Sequence, residues 1–305
     1  MTFGAQKAHF SQPGGAFTKK VVLTIVLSLL TSSASIIADE GPGPDELTEQ
    51  ARQKMWVIDQ VVASVAGMGK AELLSTLDVP LPEKLRMTYV DFYAAKGDAR
   101  EFFMTPGSMG YIWEKFLEKG GPFADLSTED WKDGLRRIYA FWSLLDNDSQ
   151  KAFSWLVAQK DEARPTALQA AYIGVFVRHS RSEAREHGRW VWYDSREAWV
   201  QMLKGKNPTC HALALQYADY FATSQEMAEA CELATDTEWP YLHLVAFEKT
   251  EKLLAGKAVG FLQRYLEANK ADVLGNRASD MRKKAEGYLV KAKARDAATA
   301  PTGSE

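Results

Sequence analysis

Residues 194–235 read DSREAWVQMLKGKNPTCHALALQYADYFATSQEMAEACELAT, and their pattern determines the fold class that we predict. Asn207-Pro208 divides two segments in which apolar residues recur every three or four positions, the period of an amphipathic α-helix. Thr223 and Glu226 have the spacing of a capping box, which marks the start of a third helix. Because the turns between these segments are short, we expect consecutive helices to pack against each other.

The same helical period extends in both directions from this stretch. Apolar residues between Asp45 and Val65 are spaced by three or four, and Ser127 begins a long amphipathic segment in the style of a capping box. Almost no segment alternates apolar and polar residues as β-strands do. We therefore predict an all-α protein, built either as an irregular orthogonal helical bundle or as a short α-solenoid of helix pairs.

The domain organisation is predicted from the places where the helical pattern stops. Residues 45–296 form one helical domain, with a possible division into two subdomains near 120–126, where Gly120-Gly-Pro interrupts the pattern. Residues 39–44 are rich in Gly and Pro and form a spacer before that domain. Residues 297–305 have the composition of a disordered tail.

The N-terminal residues have the features of an export signal. Lys19 and Lys20 precede a short apolar run over residues 21–30, and small residues follow it, so cleavage is expected after Ala38 or Ala34. The apolar run is shorter than the roughly 20 residues of a membrane-spanning helix. The alternative is that the N-terminal segment is not cleaved and anchors the protein. In that case we expect this segment to be its contact with the membrane. The predicted location is periplasmic or secreted.

Composition limits the classes of function. Hydrophobic residues make up 46% of the 305 residues and charged residues 25%, which are ordinary values for a globular protein with a packed core. The formal net charge is −3, and it becomes −6 without residues 1–38, which contain three lysines and no acid. A mildly acidic chain of this kind argues against a nucleic-acid-binding protein.

The densest group of binding-type side chains lies in residues 178–193, which we call the basic–aromatic segment. Its arginines recur every three or four residues, so on a helix they form a basic ridge, and aromatic residues follow directly. Arginine beside Trp and Tyr is typical of protein interfaces and of sites for anionic or glycan ligands. A solvated helix face followed by core aromatics is the alternative. The candidate binding residues are Arg178, Arg181, Arg185, Arg189, Trp190, Trp192 and Tyr193.

His179 falls on the apolar stripe of a helix that begins near Pro165. A buried histidine held by one hydrogen bond is the simplest interpretation. Glu183 and His187 continue its series at i+4 and i+8, so all three share a face if the helix runs beyond Ser180. The three could then act as acid and base or hold a divalent metal, although no specific zinc-enzyme spacing is present. We predict no metal and no cofactor.

Both cysteines lie on the predicted inward faces of consecutive helices. Cys210 and Cys231 are separated by a tight turn, with an axial mismatch of about 6 Å at the helical rise per residue. In an oxidising compartment a disulfide between them is expected, and two small buried thiols are the alternative.

The last predicted helix, residues 277–295, has seven basic and two acidic side chains. Such a charge run is usually a solvated face, and contact with an acidic partner or a membrane surface is the alternative.

Two classes of function fit these patterns. The first is an exported binding protein without catalysis, which engages a partner protein or an anionic or glycan ligand through the basic–aromatic segment. The second is an exported hydrolase that uses His179 with Glu183 or another carboxylate. The sequence contains no nucleophile elbow, phosphate loop, zinc signature or haem-attachment motif, which favours the first class.

Overall fold

The prediction of an all-α fold is confirmed. The computed structural model describes residues 44–88, 91–92, 116, 123–187, 195–235, 240–253, 257–268 and 276–299. These ranges contain eleven α-helices and no strand, apart from one isolated bridge between Thr88 and Thr166. Packing between helix pairs makes the architecture an all-α helical bundle.

The helices follow one another along the whole described chain. Their bounds are α1 Pro44–Ala66, α2 Lys70–Asp78, α3 Thr128–Asn147, α4 Ser149–Ala158, α5 Ala167–His187, α6 Arg196–Leu203, α7 Pro208–Gln216, α8 Ser224–Thr235, α9 Pro240–Leu253, α10 Ala258–Ala268 and α11 Asn276–Thr299. Two short 3₁₀ helices occur at Glu83–Leu85 and Ala218–Tyr220.

The chain divides into two compact units, Met1–Lys54 and Met55–Glu305. In the first unit the described residues are the opening turns of α1, where Arg52 and Glu49 form an exposed ion pair at 3.5 Å. The predicted export signal, the spacer up to residue 43 and residues 120–122 of the predicted subdomain boundary lie outside the described residues. The predicted tail is partly helical, because α11 continues to Thr299.

Polar side chains at the helix starts explain why several helices begin where they do. The Ser127 side chain accepts a hydrogen bond from the backbone N–H of Asp130, and the Asp148 side chain accepts one from Lys151. At the start of α8, Thr223 and Glu226 bond to each other's backbone N–H groups at 3.2 and 2.8 Å, which confirms the predicted capping box.

The core of the second unit is organised around α7. All residues of α7 from Pro208 to Leu215 are buried, and the helix packs against α5, α6, α8 and α9. Farther from α7, α3 packs against α2, α4 and α5, and α11 packs against α9 and α10. A helix with neighbours on every side needs small and apolar residues around its whole circumference. Two alanines and two leucines among the nine residues of α7, PTCHALALQ, meet this need.

Candidate functional site

The basic–aromatic segment begins inside α5. This helix runs without a break from Ala167 to His187. Arg178, Arg181 and Arg185 therefore occupy positions i, i+3 and i+7 of one helix, a spacing that places them on one side. The backbone of these three residues is helical, and the basic ridge stays a prediction.

The first half of α5 is held in the core. Nearly every residue from Ala167 to Val177 is buried, and the apolar residues that share a face with His179, namely Leu168, Tyr172 and Val175, are at most 3% exposed. Arg178 is half-buried, and Ser180 is fully buried. The basic residues of α5 thus begin where the helix still packs against its neighbours. This packing fixes the direction of the helix axis from Arg178 onward.

A histidine–carboxylate pair lies at this point of α5. The Nδ1 atom of His179 is 3.2 Å from a carboxylate oxygen of Asp146, near the C-terminal end of α3, which packs against α5. The histidine side chain is 10% exposed and the aspartate side chain 41% exposed. A carboxylate on Nδ1 fixes the orientation of the imidazole ring and leaves Nε2 for a second interaction.

The sequence pattern around His179 does not indicate Asp146 as its partner. The two residues are 33 positions apart, and no local spacing connects them. The signal would have been the pairing of α3 with α5, which brings the end of one helix beside the middle of the other. An acidic residue near a helix end has other roles more often than it pairs with a histidine, so its position alone does not indicate this contact.

The remaining candidates are only partly described. Glu183 and His187 lie in the same helix as His179, at i+4 and i+8, as the catalytic and metal alternatives require, but their side chains lie outside the described part of the structure. The same holds for the side chains of Arg181 and Arg185. Arg189, Trp190, Trp192 and Tyr193 lie outside the described residues altogether.

The predicted disulfide between Cys210 and Cys231 is not formed. Both residues are free, buried thiols. The sulfur of Cys210 lies 3.7 Å from the carbonyl oxygen of Leu156 in α4, whereas the sulfur of Cys231 lies 3.8 Å from that of Ala246 in α9. The expectation failed because it gave α7 a single inward face, whereas α7 is buried on all sides.

Burial also makes the two thiols unreactive. It raises the pKa of Cys210 to about 12 and the pKa of Cys231 to about 11. Both therefore stay protonated at neutral pH, and the thiol is a much weaker nucleophile and metal ligand than the thiolate.

His211 is a buried neutral histidine with a structural role. It is 2% exposed, and its Nε2 atom lies 3.0 Å from the carbonyl oxygen of Ala230 in α8. Since a carbonyl only accepts, the neutral ring donates through Nε2. Burial, partly offset by this hydrogen bond, lowers the pKa of His211 to about 4.

We expect His211 to make the protein less stable as the pH falls from 7.5 to 5. The unfolded chain binds a proton at this residue near pH 6.5, whereas the folded chain does so only near pH 4, so acid favours unfolding in between. The free energy of unfolding should fall by about 2 kcal/mol from this group. Urea titrations at both pH values measure the loss, and His211→Gln, which keeps a donor, should remove most of it. An unchanged pH dependence in that variant would contradict this assignment.

Other buried polar groups also join helices. The ammonium group of Lys249 in α9 lies 2.7 Å from a carboxylate oxygen of Asp219, and Nδ1 of His243 lies 3.2 Å from the hydroxyl of Tyr265 in α10. These pairs satisfy hydrogen bonds between neighbouring elements. Among the side chains that the structure describes, no group of three or more His, Cys, Asp or Glu residues is arranged to hold a metal ion.

Comparison with known proteins adds no relative. No protein-family model matches the chain, and neither the curated proteins nor the solved structures contain a significant match. Within the described ranges, every helix is too short or too polar to span a membrane.

Proposed function

We propose that this protein is an exported helical binding protein without catalytic activity. It engages a partner protein or an anionic or glycan ligand through the basic–aromatic segment, residues 178–193. The observation that supports this most is the continuity of α5, which leads from a buried half directly into the basic residues. A binding surface on a helix held by the core needs little ordering when it binds, which saves conformational entropy.

The pair of His179 and Asp146 supports the same proposal. It ties α5 to the end of α3 at the first residues of the segment. Arginine at i, i+3 and i+7 then gives up to three planar donor groups along about two helical turns, a pattern suited to carboxylate, sulfate or phosphate groups.

The test compares two triple variants of the full chain. Arg181→Ala/Arg185→Ala/Trp190→Ala removes the centre of the proposed surface. Arg52→Ala/Arg136→Ala/Trp56→Ala removes the same residue types from exposed positions elsewhere, where Trp56 is 60% exposed. Circular dichroism establishes that both fold. Each protein is applied to a heparin column and used to capture proteins from the exported fraction of its source cells.

The proposal predicts that wild type and the control retain the same ligand and that the first variant releases it. Loss of three contacts at an interface centre lowers affinity by about 100-fold or more. Equal binding by both variants would show that the segment is scaffold. Equal loss in both would point to net charge rather than to this surface.

A hydrolase is the second candidate, and the carboxylate on Nδ1 of His179 is the observation that favours it. Such a pair can act as a general base through Nε2. A screen with ester, amide and glycoside substrates tests it. Activity that falls by about 100-fold or more in His179→Ala and in Asp146→Asn would support the hydrolase over the binding protein.

A further inference from the structure

α11 is a basic helix in an acidic chain. Its residues 276–299 include seven basic and three acidic side chains, a net charge of +4, whereas the whole chain has a net charge of −3. The remaining residues therefore carry −7. Because of this charge asymmetry, a negatively charged surface attracts the basic helix and repels the rest of the molecule.

One side of α11 is buried and the other faces solvent. Ala285 and Ala292 are buried, and the ring of Tyr288 lies 6.4 Å from that of Phe247 in α9. The opposite side contains lysines, small or apolar residues and one glutamate, and Val290 in their centre is 67% exposed. This exposed face consists of Lys283, Gly287, Val290, Lys291, Lys293 and Ala294, together with Glu286.

The charge of this face is strongly positive. Its acid, Glu286, is paired with Arg282 on the same helix at 3.1 Å. The ammonium group of Lys291 lies 5.3 Å from the centre of the Tyr288 ring, and none of the described carboxylates forms an ion pair with Lys283, Lys291 or Lys293. Three cations thus lie within about 15 Å of helix length, given the helical rise per residue.

We propose that the exposed face of α11 docks on the anionic headgroups of a lipid membrane. A helix with four to eight basic residues and an exposed face is a typical binding element for anionic lipids. Val290 enters the headgroup layer, and Gly287 and Ala294 let the helix backbone approach it closely. This contact is independent of the basic–aromatic segment and does not use the N-terminal apolar residues.

The nature of the cations favours a membrane over a protein partner. All three are lysines, which are depleted from protein interfaces, whereas arginine is enriched there. A second copy of this helix is disfavoured because it would bring like charges together. A layer of anionic headgroups attracts hydrated lysines without needing fixed pairing.

The experiment measures co-sedimentation of the full chain with lipid vesicles. One set contains phosphatidylglycerol and phosphatidylcholine, and the other contains phosphatidylcholine alone. The test variant is Lys283→Gln/Lys291→Gln/Lys293→Gln, and the control variant is Lys204→Gln/Lys206→Gln/Lys257→Gln, which loses the same charge from exposed positions elsewhere. All chains contain the same N-terminal apolar residues, so their contribution cancels in the comparison.

Wild type and the control should bind the anionic vesicles far better than the neutral ones, and high salt should remove the difference. The test variant should partition on the order of 100-fold less onto anionic vesicles, since each of the three lysines near such a surface contributes about fivefold. Equal loss in both variants, or no preference for anionic vesicles, would overturn the proposal. So would retention on heparin through these lysines without vesicle binding, which would indicate a soluble polyanion instead.

Discussion

Replacing Arg137 by Ala should lower the free energy of unfolding by about 3 kcal/mol. The guanidinium group is 3% exposed and lies 2.8 Å from Asp133 on the same helix. It also donates to the carbonyl oxygens of Thr76, Val79 and Pro80, at 3.4, 2.6 and 3.3 Å. Thr76 lies in the last turn of α2, and Val79 and Pro80 follow directly after it, so the arginine caps the C-terminal end of α2 from α3.

Three variants separate this role from a general effect of lost charge. Arg136→Ala changes the exposed neighbour and should shift stability by less than about 0.5 kcal/mol. Arg137→Lys keeps the charge but not the planar fork, so it should recover only part of the loss. Urea unfolding followed by circular dichroism measures all three. If Arg137→Ala were as stable as Arg136→Ala, the capping role would be refuted.

Replacing Trp199 by Ala should lower the free energy of unfolding by about 3–5 kcal/mol. The side chain is completely buried, and its ring lies 5.6, 5.8 and 5.1 Å from those of Phe153, Tyr217 and Phe221. Its indole N–H donates to the carbonyl oxygen of Ala214 at 3.0 Å. The truncation therefore opens a cavity between α4, α6 and α7. It also removes one of the two donors to the carbonyl oxygen of Ala214, which keeps the backbone N–H of Tyr217 at 3.2 Å.

Two further variants give the scale for Trp199. Trp199→Phe keeps most of the ring volume and loses the hydrogen bond, so the expected loss is about 1–3 kcal/mol. Trp56→Ala, at a position that is 60% exposed, should change stability by less than about 0.5 kcal/mol. Denaturant midpoints provide the comparison, and a Trp199→Ala protein that unfolds with the Trp56→Ala protein would contradict this packing.

Features that depend on nearby residues were predictable from the sequence. The capping box of Thr223 and Glu226 is formed within four residues, so local spacing was enough to place it. Trp199 follows the apolar period of its own helix, a local pattern, and its side chain is buried. The all-α class follows from many such local patterns, each of which adds to the same conclusion.

Features that depend on distant residues were not predictable. The charge of Arg137 by itself indicates an exposed side chain. The side chain is buried because it donates to carbonyl oxygens at the end of α2, some 60 residues away. The contact of His179 with Asp146 likewise requires the packing of α3 on α5. The sulfur of Cys210 lies against α4 and not against α8. This orientation was not predictable, because sequence periodicity cannot rank the neighbours of a helix that is surrounded on all sides.

The position of α7 constrains how the chain can fold during synthesis. The helix is enclosed by α5 and α6, which precede it, and by α8 and α9, which follow it. Until Leu253 at the end of α9 has left the ribosome, the apolar residues of α7 lack part of their cover. A nascent chain that stops earlier exposes the apolar surface of α7, and chaperones bind such surfaces. The assembly of helices α5 to α9 is therefore expected to be a single late event rather than a stepwise addition of helices.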